Sequence, residues 1–473
     1  MNAAAPRQRI DRAAEAFPTV VMALFAVVCA AGLWRVVATT GLHVPLDPNE
    51  GWNAYLAAAA MAGHAYPDAH SYFVNNYPPL SFYLVGALGR AVGDSIIAGR
   101  IVSLVAFLCV AAGIFQAARI MGCRALHAAF ASLFFMAWLI VSSDYVGMND
   151  PQLLAHAIQI AGLLLVLRRT PNDIAAAGLF VVALFVKHNL VAMPVAVGIW
   201  LLLEDRARAR RFIGAGFSFL LLGLVLFRIV YGDSLLSHLA SPRSYSSRLL
   251  LGNLKEWFVW GGITITANGY LLLSRLNDRY VALVGPYATI AFLIGCVFSG
   301  GGGVDVNVFF DADIALSLSV GLIFHHAQRV ALRSAVALLL LVPLSVGLFH
   351  ASSGEDWRDP DYWLHPMADE AATAQGDIAF IKARFGRALC ETLSLCYWAG
   401  KRAEVDVFNT GQQFATDARS NADLIRQIDA HAFSTMEFDT LDPFALGPRV
   451  KAAVLKSYRI DHKNDEGVFF VPR

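Results

Sequence analysis

The stretch LDPNEGWNAY (46–55) places two carboxylates, Asp47 and Glu50, directly after a long apolar run. A second polar stretch with a Pro-Pro pair, NNYPPLSFY (75–83), follows it closely. Charged side chains are expensive at membrane depth, and those found there commonly line a functional cavity. The position of the acids suggests that the preceding run crosses a bilayer and that Asp47 and Glu50 lie where it meets water.

The composition of the whole chain is that of a membrane protein. Of its 473 residues, 57% are hydrophobic and 15% are charged, and the mean hydropathy is +0.53. Soluble domains carry about a quarter charged residues. The net charge of +1 provides no basic surface for nucleic acid, so we expect no such partner. Residues 353–473 hold 14 Lys+Arg and 19 Asp+Glu, a density typical of a soluble domain. The sequence predicts a membrane domain (1–352), a linker (353–375) and a small soluble domain (376–473).

Eleven apolar runs are long enough to be read as transmembrane helices, which need about 20 residues each. The first is too long for a signal peptide and ten more follow it, so we interpret it as a membrane span. Spans in lipid must satisfy their own backbone polar groups, which predicts a helical bundle. The predicted spans are 18–39, 96–118, 126–145, 151–167, 173–187, 189–203, 211–231, 255–274, 280–299, 307–325 and 334–351.

Basic clusters in the loops predict the orientation of these spans. With eleven spans, six clusters fall on one side, which the positive-inside rule assigns to the cytoplasm. This agreement requires that residues 78–93 lie as a helix at the outer interface and do not cross the membrane. We therefore predict a multi-pass protein of the bacterial inner membrane, with a cytoplasmic N-terminus and a periplasmic C-terminal domain. The clusters are Arg7–Arg12, Arg119–Arg124, Arg168 with Arg169, Arg206–Arg211, Arg275–Arg279 and Arg329–Arg333.

This topology collects the unusual polar residues on the predicted outer face. Any one of them could be a solvated loop residue or an interhelical hydrogen-bond partner. As a set confined to one face, they predict a functional cavity. The residues are Asp47, Glu50, His64, Asn75, Asn76, Tyr77, Arg100, Asp144, Asn149, Asp150, Lys187, His188, His238, Arg243, Tyr245, Asp305, Asn307, Asp311 and Asp313.

The order of these motifs resembles the polytopic glycosyltransferases of the GT-C fold: protein O-mannosyltransferases, the lipid A aminoarabinose transferase and the rhizobial galacturonosyltransferase-like group. The resemblance covers roughly residues 15–350. It implies a helical membrane domain of about eleven spans with additional helices at the outer interface. The stretches that carry it are LDPNEGWNAY (46–55), NNYPPLSFYLVGALG (75–89), GDSIIAGRIVS (93–103), MNDPQLL (148–154), FVKHN (185–189) and GGGVDVNVFFD (301–311).

The resemblance also implies an activity: inverting transfer of a sugar from a polyprenyl-phosphate donor to a glycolipid, polysaccharide or protein acceptor on the outer face of the bilayer. Asp47 matches the catalytic aspartate of the family, and a carboxylate can take the proton of an attacking hydroxyl as a general base. A water-filled cavity would leave the pKa of Asp47 near its ordinary value.

The departing phosphate of such a donor needs cations around it. Arg100 and Lys187 match basic residues that the family keeps there. Tyr77 departs from the family, which often has Lys or His at that position; its phenol can donate one hydrogen bond but brings no charge. The predicted phosphate-binding set is therefore Arg100, Lys187, His188, Arg243 and Tyr77. Residues predicted to support catalysis or to orient the acceptor are Glu50, Asn76, Asp150, His238, Asp305, Asn307 and Asp311.

The sequence leaves a divalent metal ion open as a cofactor. Some members of the resembled family show one near this site, and the chain has no His/Cys cluster with the spacing of a structural zinc site. Glu50 lies three residues after Asp47, and the two would share one helical face. The candidate ligands are Asp47, Glu50, Asp150 and His238.

The last hundred residues predict a small α/β domain with a partly parallel sheet. Cys390 and Cys396 could form a disulfide there, but the spacing does not decide it. The predicted strands are ALCE (388–391), EVDVF (404–408), AFSTMEF (432–438) and VFFVPR (468–473), and RIDHKNDEG (459–467) is predicted as a solvated turn.

Two other functional classes fit a membrane protein with a polar face. A transporter or flippase for a lipid-linked or polar solute would show internal repeats and a site near the bilayer midplane, and the sequence shows neither. A non-catalytic scaffold would use the outer domain to bind a partner. The intact carboxylate at Asp47 argues against the scaffold.

Overall fold

The computed structural model describes residues 4–68, 71–239, 241, 243–351 and 359–473, and only the backbone of residues 4–15, 350 and 351. The first part of the chain is helical. Its helices are α1 (Ala4–Thr39), α2 (Asn49–Met61), α3 (Leu80–Val92), α4 (Ser95–Ile120), α5 (Ala125–Ser142), α6 (Gln152–Leu167), α7 (Asp173–Leu184), α8 (Ala192–Glu204), α9 (Arg206–Tyr231), α10 (Ser234–Leu239), α11 (Ser247–Arg275), α12 (Val281–Phe298), α13 (Phe310–His326) and α14 (Val330–Ala351).

A helix occupies each of the eleven predicted spans. Within the described residues, seven helices are long and apolar enough to cross a membrane: α1, α4, α5, α9, α12, α13 with the turn before it, and α14. Helices α6, α7 and α8 are apolar but shorter, and α11 does not reach the same standard. Helix α13 lies at the centre of the bundle, buried along nearly its whole length against α5, α11 and α12. A helix that is apolar on nearly all sides is expected in such a position.

Two short helices lie between the first two long ones. Helix α3 occupies the segment that was predicted not to cross the membrane, and it begins directly after the Pro78–Pro79 pair. Thirteen residues span only about 20 Å as a helix, less than a bilayer core. Helix α2 packs against α3, and both pack against the start of α4. These helices form one end of the bundle, which we call the site end. The opposite end, where α4, α6 and α8 finish, carries the basic loops and is called the basic end.

The C-terminal part is an α/β domain. Its sheet has the strand order β1-β2-β4-β3, with β1 and β2 parallel and the other pairs antiparallel, which confirms a partly parallel sheet. Its elements are α15 (Pro360–Leu364), α16 (Ala368–Ala383), β1 (Arg387–Cys390), α17 (Leu393–Trp398), α18 (Val407–Ala415), α19 (Ala422–Asp429), β2 (Phe433–Phe438), α20 (Pro448–Ser457), β3 (Tyr458–Asn464) and β4 (Gly467–Pro472).

Two local predictions in this domain are wrong. The segment EVDVF (404–408) is not a strand: Val405 forms an isolated bridge with Tyr72, and Val407 begins α18. The segment RIDHKNDEG (459–467) is not a solvated turn but most of the β3–β4 hairpin. Strand β3 is an edge strand with mostly exposed polar side chains, so it lacks the apolar alternation that identifies a strand.

The C-terminal domain is docked on the site end. Helix α17 packs on α2 so closely that a Cβ at Gly51 would lie 2.2 Å from the backbone nitrogen of Ser394. The Trp398 indole donates to Asp94 at 2.9 Å, and the Cys390–Cys396 disulfide forms at the base of α17. The predicted linker contains α15 and the start of α16, while its residues 353–358 lie outside the described chain.

Candidate active site

A cavity of about 280 Å³ lies at the site end, among the helix ends and the loops that join them. Several predicted residues line it, although they are distant in sequence. Its polar lining includes Asn49, Asn76, Tyr77, Tyr145, Lys187, His188, Arg243, Tyr245 and Asn307.

Asp47 lies in the turn between α1 and α2, two residues before the cavity-lining Asn49. Its Oδ1 accepts the backbone N–H of Asn49 at 2.7 Å, which fixes the carboxylate at the start of α2. Burial raises the pKa of Asp47 to about 6, the Asn49 hydrogen bonds oppose this, and the negative charge of Asp150 adds to it. The expectation of an ordinary pKa is therefore wrong, because the side chain is half-buried beside another acid. A carboxylate of higher pKa is a stronger proton acceptor and is still mostly ionised at neutral pH.

Lys187 forms the cationic wall of the cavity. It lies in the turn between α7 and α8, is 4% exposed, and its Nζ is 3.6 Å from Asp150 Oδ2. The same Nζ lies 3.9 Å from the centroid of the Tyr77 ring, a cation–π arrangement. Nζ makes no hydrogen bond within the described structure. Buried ammonium groups are normally hydrogen-bonded, so this one has donors available for a ligand in the cavity.

Arg100 lies away from the cavity, in a bidentate pair with Glu50. Its Nε donates to Oε1 at 2.7 Å and its Nη2 to Oε2 at 2.6 Å, and both side chains are 0% exposed. The remaining guanidinium donors bind the carbonyls of Leu42 and Val44 at 2.7 and 2.6 Å. Since its donors are already engaged, a phosphate contact by Arg100 does not fit this geometry.

Glu50 anchors the polypeptide around it. Its Oε1 also accepts the backbone N–H of Asn149, and its Oε2 that of Leu46. A Cβ at Gly99 would lie 1.7 Å from Asn149 Oδ1, so only glycine lets this loop approach α4 so closely. Helix α2 begins at Asn49, after Asp47, so Glu50 and Asp47 do not share a helical face as predicted.

Asp150 connects this anchor to the cavity. Its Oδ1 accepts the backbone N–H of Gln152 at 2.7 Å and its carbonyl accepts Ser103 Oγ at 3.0 Å. The other oxygen, Oδ2, faces Lys187 and makes no hydrogen bond within the described structure. Asp150 is thus held by the start of α6 and presents one oxygen to the cation.

Arg243 and His188 also line the cavity. Arg243 Nη1 donates to the Gly302 carbonyl at 3.3 Å, and its guanidinium carbon lies 5.8 Å from the Phe408 ring centroid. His188 is exposed and follows Lys187 directly. The structure therefore brings four of the five predicted phosphate-binding side chains to one cavity and Arg100 to another position. The four are Tyr77, Lys187, His188 and Arg243.

His238 and Asn76 hold the first loop in place. His238 Nδ1 accepts the backbone N–H of Asn75 at 3.2 Å, and its Nε2 lies 2.9 Å from the Pro67 carbonyl, so both ring nitrogens are engaged. Asn76 lines the cavity and donates to Asn409 Oδ1 of α18 at 3.5 Å. The role of His238 in this structure is to join α10 to the loop.

The last three predicted residues lie on or before α13. Asp305 is exposed and caps the turn before α13 through the backbone N–H of Val306. Asn307 lines the cavity and lies 3.5 Å from Gln152 Oε1. Asp311 is buried in the bundle, where it accepts the Tyr287 hydroxyl at 2.8 Å. Asp311 is therefore enclosed by the helices of the bundle and does not line the cavity.

The four residues named for a metal ion do not form a ligand set in this structure. Glu50 and His238 use their polar atoms on protein partners. Within the described ranges, no group of three or more His, Cys, Asp or Glu side chains is arranged to hold a metal ion.

Some residues of the C-terminal domain that support the cavity loops were not predicted from the sequence. Gln412 Oε1 accepts both the N–H and the Oγ–H of Ser244, at 3.0 and 2.7 Å, which fixes the loop that carries Arg243. The buried Asp406 holds Asn409, and burial raises its pKa to about 6 against the Asn409 hydrogen bonds. These residues were not predicted because segment 404–408 was interpreted as a strand.

Comparisons with known proteins address the fold. A protein-family model described as "6-pyruvoyl-tetrahydropterin synthase related domain; membrane protein" matches residues 74–259, less than half of the chain. No curated protein matches this chain. The arabinofuranosyltransferase AftD from Mycobacteria is a weaker structural match, with a TM-score of 0.48 at 16% identity, covering 95% of this chain and 40% of AftD.

Two solved structures of ArnT from Cupriavidus metallidurans match nearly the whole chain. The apo structure superposes with a TM-score of 0.62 at 11% identity, covering 96% of this chain and 98% of ArnT. The structure bound to undecaprenyl phosphate gives a TM-score of 0.60 at 14% identity, with coverages of 95% and 97%. ArnT is a lipid A aminoarabinose transferase of the GT-C class. The chain therefore has the GT-C fold over its full length, with a small α/β domain at its C-terminus.

Proposed function

We propose that this protein is an inverting glycosyltransferase that uses a polyprenyl-phosphate-linked sugar. The observation that carries the proposal is a half-buried carboxylate of raised pKa, two residues before the cavity-lining Asn49, close to a cavity lined by a buried ammonium group that has free donors. Asp47 supplies the first and Lys187 the second. The GT-C fold shared with ArnT, which has been solved with undecaprenyl phosphate, supports this donor class.

In this mechanism Asp47 is the general base. The acceptor hydroxyl oxygen attacks the anomeric carbon, its proton passes to the Asp47 carboxylate, and the bond from that carbon to the phosphate oxygen breaks. The electron pair leaves with the polyprenyl phosphate, and attack opposite to it inverts the sugar carbon. One carboxylate is sufficient, because phosphate leaves without a proton, unlike the leaving group of a glycoside hydrolase.

Lys187 and Arg243 offset the negative charge that develops on the departing phosphate. Asp150 positions Lys187 without using its hydrogen-bond donors, since Nζ and Oδ2 are 3.6 Å apart. The Tyr77 ring supports the ammonium from another side. The Arg100–Glu50 pair acts at a distance by fixing the loop that carries Asp47 and the loop that carries Asp150.

The acceptor in this proposal is an envelope glycolipid, a polysaccharide or a protein at the outer face of the bacterial inner membrane. Two observations support that location. Basic loops gather at the end opposite the cavity, as expected of the cytoplasmic side. The C-terminal domain at the site end contains a disulfide, which forms in oxidising compartments. The transporter alternative gains no support, because the cavity lies at the helix ends and transporter sites lie near the midplane.

The test is transfer of a labelled sugar from undecaprenyl phosphate by the purified full-length protein, with envelope glycolipid as acceptor. Asp47→Asn should reduce the rate by about a hundredfold or more, since general-base catalysis contributes roughly 10²–10⁴-fold. Asp465→Asn, an exposed change in the β3–β4 turn, is the matched control and should transfer at the wild-type rate. An active wild type whose rate survives Asp47→Asn would reject the mechanism.

A further inference from the structure

A second cavity, of about 880 Å³, lies at the basic end of the bundle. Helices α4, α6, α8 and α9 and the loops before α7 and α12 form its walls. The described lining contains no acidic side chain, and two aromatic rings, Trp200 and Tyr280, complete it. The cavity is therefore strongly positive. Its charged lining residues are Arg119, Arg168, Arg169, Arg208 and Arg279.

Some of these guanidinium groups have acidic partners behind the cavity wall. Arg208 forms an ion pair with Asp173 at 2.7 Å, and Arg279 lies 3.5 Å from Glu204 while stacking over Trp200. Arg168 and Arg169 differ. Arg168 donates only its Nε, to the Thr170 carbonyl at 2.7 Å, and Arg169 has no ion pair in the described part of the chain. These two arginines offer free donors to a ligand.

An apolar groove continues from this cavity along the bundle. It has a volume of about 1030 Å³ and shares Gln116 with the basic cavity. Small side chains of neighbouring helices, such as Ala112 and Ala161, create it, and it reaches Cys109 along α4. The distance from Gln116 to Cys109 is about 10 Å at 1.5 Å per residue, a length over which an acyl chain can lie.

We propose that the cavity and groove bind an anionic phospholipid, with the phosphodiester headgroup among the arginines and one acyl chain in the groove. Guanidinium groups recognise phosphate oxygens through charge-assisted, bidentate hydrogen bonds. Basic pockets between transmembrane helices are suited to lipid headgroups of this kind. The site is at the opposite end of the helices from the candidate active site, so it is independent of the proposed transferase activity.

The alternative is that these arginines have no ligand and only determine the orientation of the protein in the membrane. Orientation requires positive charge in the loops, whereas it does not require that the charges surround a cavity continuous with an apolar groove. Arg206 and Arg210 on α9 provide the comparison. They lie at the same end and are exposed, but they do not line the cavity.

The experiment is native mass spectrometry of the delipidated full-length protein in detergent, titrated with dioleoyl phosphatidylglycerol and, separately, dioleoyl phosphatidylcholine. The first variant is Arg168→Gln with Arg169→Gln, and its charge-matched control is Arg206→Gln with Arg210→Gln. A third variant, Ala161→Phe, fills the groove. Inorganic phosphate is added as a competitor to distinguish a lipid headgroup from a free anion.

We expect the phosphatidylglycerol adduct to be tighter than the phosphatidylcholine adduct, and the Arg168/Arg169 variant to weaken it by about tenfold or more. The Arg206/Arg210 variant should bind like wild type, Ala161→Phe should bind more weakly, and phosphate should not displace the lipid. Equal affinity for both lipids, or equal loss in both double variants, would overturn the proposal. Displacement by phosphate would show a soluble-anion site and would also overturn it. If Ala161→Phe does not fold, the comparison of the two arginine double variants and the competition with phosphate still test the proposal.

Discussion

Arg100 and Glu50 are joined by two parallel hydrogen bonds of 2.7 and 2.6 Å in a site that water does not reach. The pair connects the start of α4 to the start of α2, and through Glu50 to the backbone of Asn149. Glu50 therefore fixes the backbone next to two residues of the candidate active site, through Leu46 beside Asp47 and through Asn149 beside Asp150.

Arg100→Leu should destabilise the protein more than it affects chemistry directly. Removing one partner of a buried ion pair typically costs about 3–5 kcal/mol, because the other charge is left buried and unpaired. Thermal unfolding of the detergent-solubilised protein measures this effect. Arg426→Leu is the control: Arg426 forms an exposed pair with Asp423, and such pairs contribute about 0–1 kcal/mol. Equal melting temperatures for the two variants would contradict the anchoring role.

Lys187→Ala should lower stability, because Asp150 is left buried without its cation. In the protein that remains folded, it should reduce kcat/KM for the lipid-linked donor by roughly 10²–10³-fold, the loss typical of removing one charge-stabilising donor. Lys187→Arg should recover part of the rate, since it restores a cation. Transfer from labelled donor measures both, and Lys382→Ala on the surface of α16 is the control. The prediction fails if Lys187→Ala loses activity only in proportion to a loss of folded protein.

The transfer rate should depend on pH through Asp47. Its pKa is raised to about 6, so the base is protonated and inactive below that pH, and the rate should rise through about pH 6 to a plateau. Asp150 contributes to the raised pKa through like charge. Asp150→Asn should therefore move the midpoint to lower pH, in addition to lowering the plateau through Lys187. A midpoint that stays in place in this variant would show that another group controls the profile.

Gln412→Ala should loosen the loop that carries Arg243, because Gln412 accepts two hydrogen bonds from Ser244. We expect weaker donor binding, seen as a KM raised by a few-fold to about tenfold, with the loss of roughly 1–1.5 kcal/mol of hydrogen bonding. Gln375→Ala, on the exposed side of α16, is the matched control. An unchanged KM would indicate that the domain does not position Arg243.

The sequence predicted the helical architecture because apolar runs of bilayer length have few alternatives, and a helix occupies each of the eleven predicted spans. The basic loops predicted that segment 78–93 does not cross the membrane, since counting it as a span would have inverted every later loop. The structure has a separate helix of 13 residues there. The strand β3 was missed because an edge strand with polar side chains carries no apolar pattern.

At the site, the residue types indicated the chemistry, but they did not indicate which partner each side chain meets. Arg100 and Lys187 were equivalent in the sequence, as two cations at helix ends. The structure separates them because Glu50, the second residue of α2, faces Arg100, whereas Asp150 faces Lys187 at a longer distance. Which carboxylate a cation meets depends on the packing of three helices, and neither spacing nor composition encodes that.

The bridge between Tyr72 and Val405 has a consequence for biosynthesis. Tyr72 emerges from the ribosome early, whereas Val405 emerges only after helices α1 to α14 of the bundle have been made. The contacts of Phe408 with Arg243 and of Gln412 with Ser244 therefore form only after the bundle has been made, so a nascent or truncated chain leaves this loop without its support. The position of Arg243 is therefore completed only once the C-terminal domain has been synthesised.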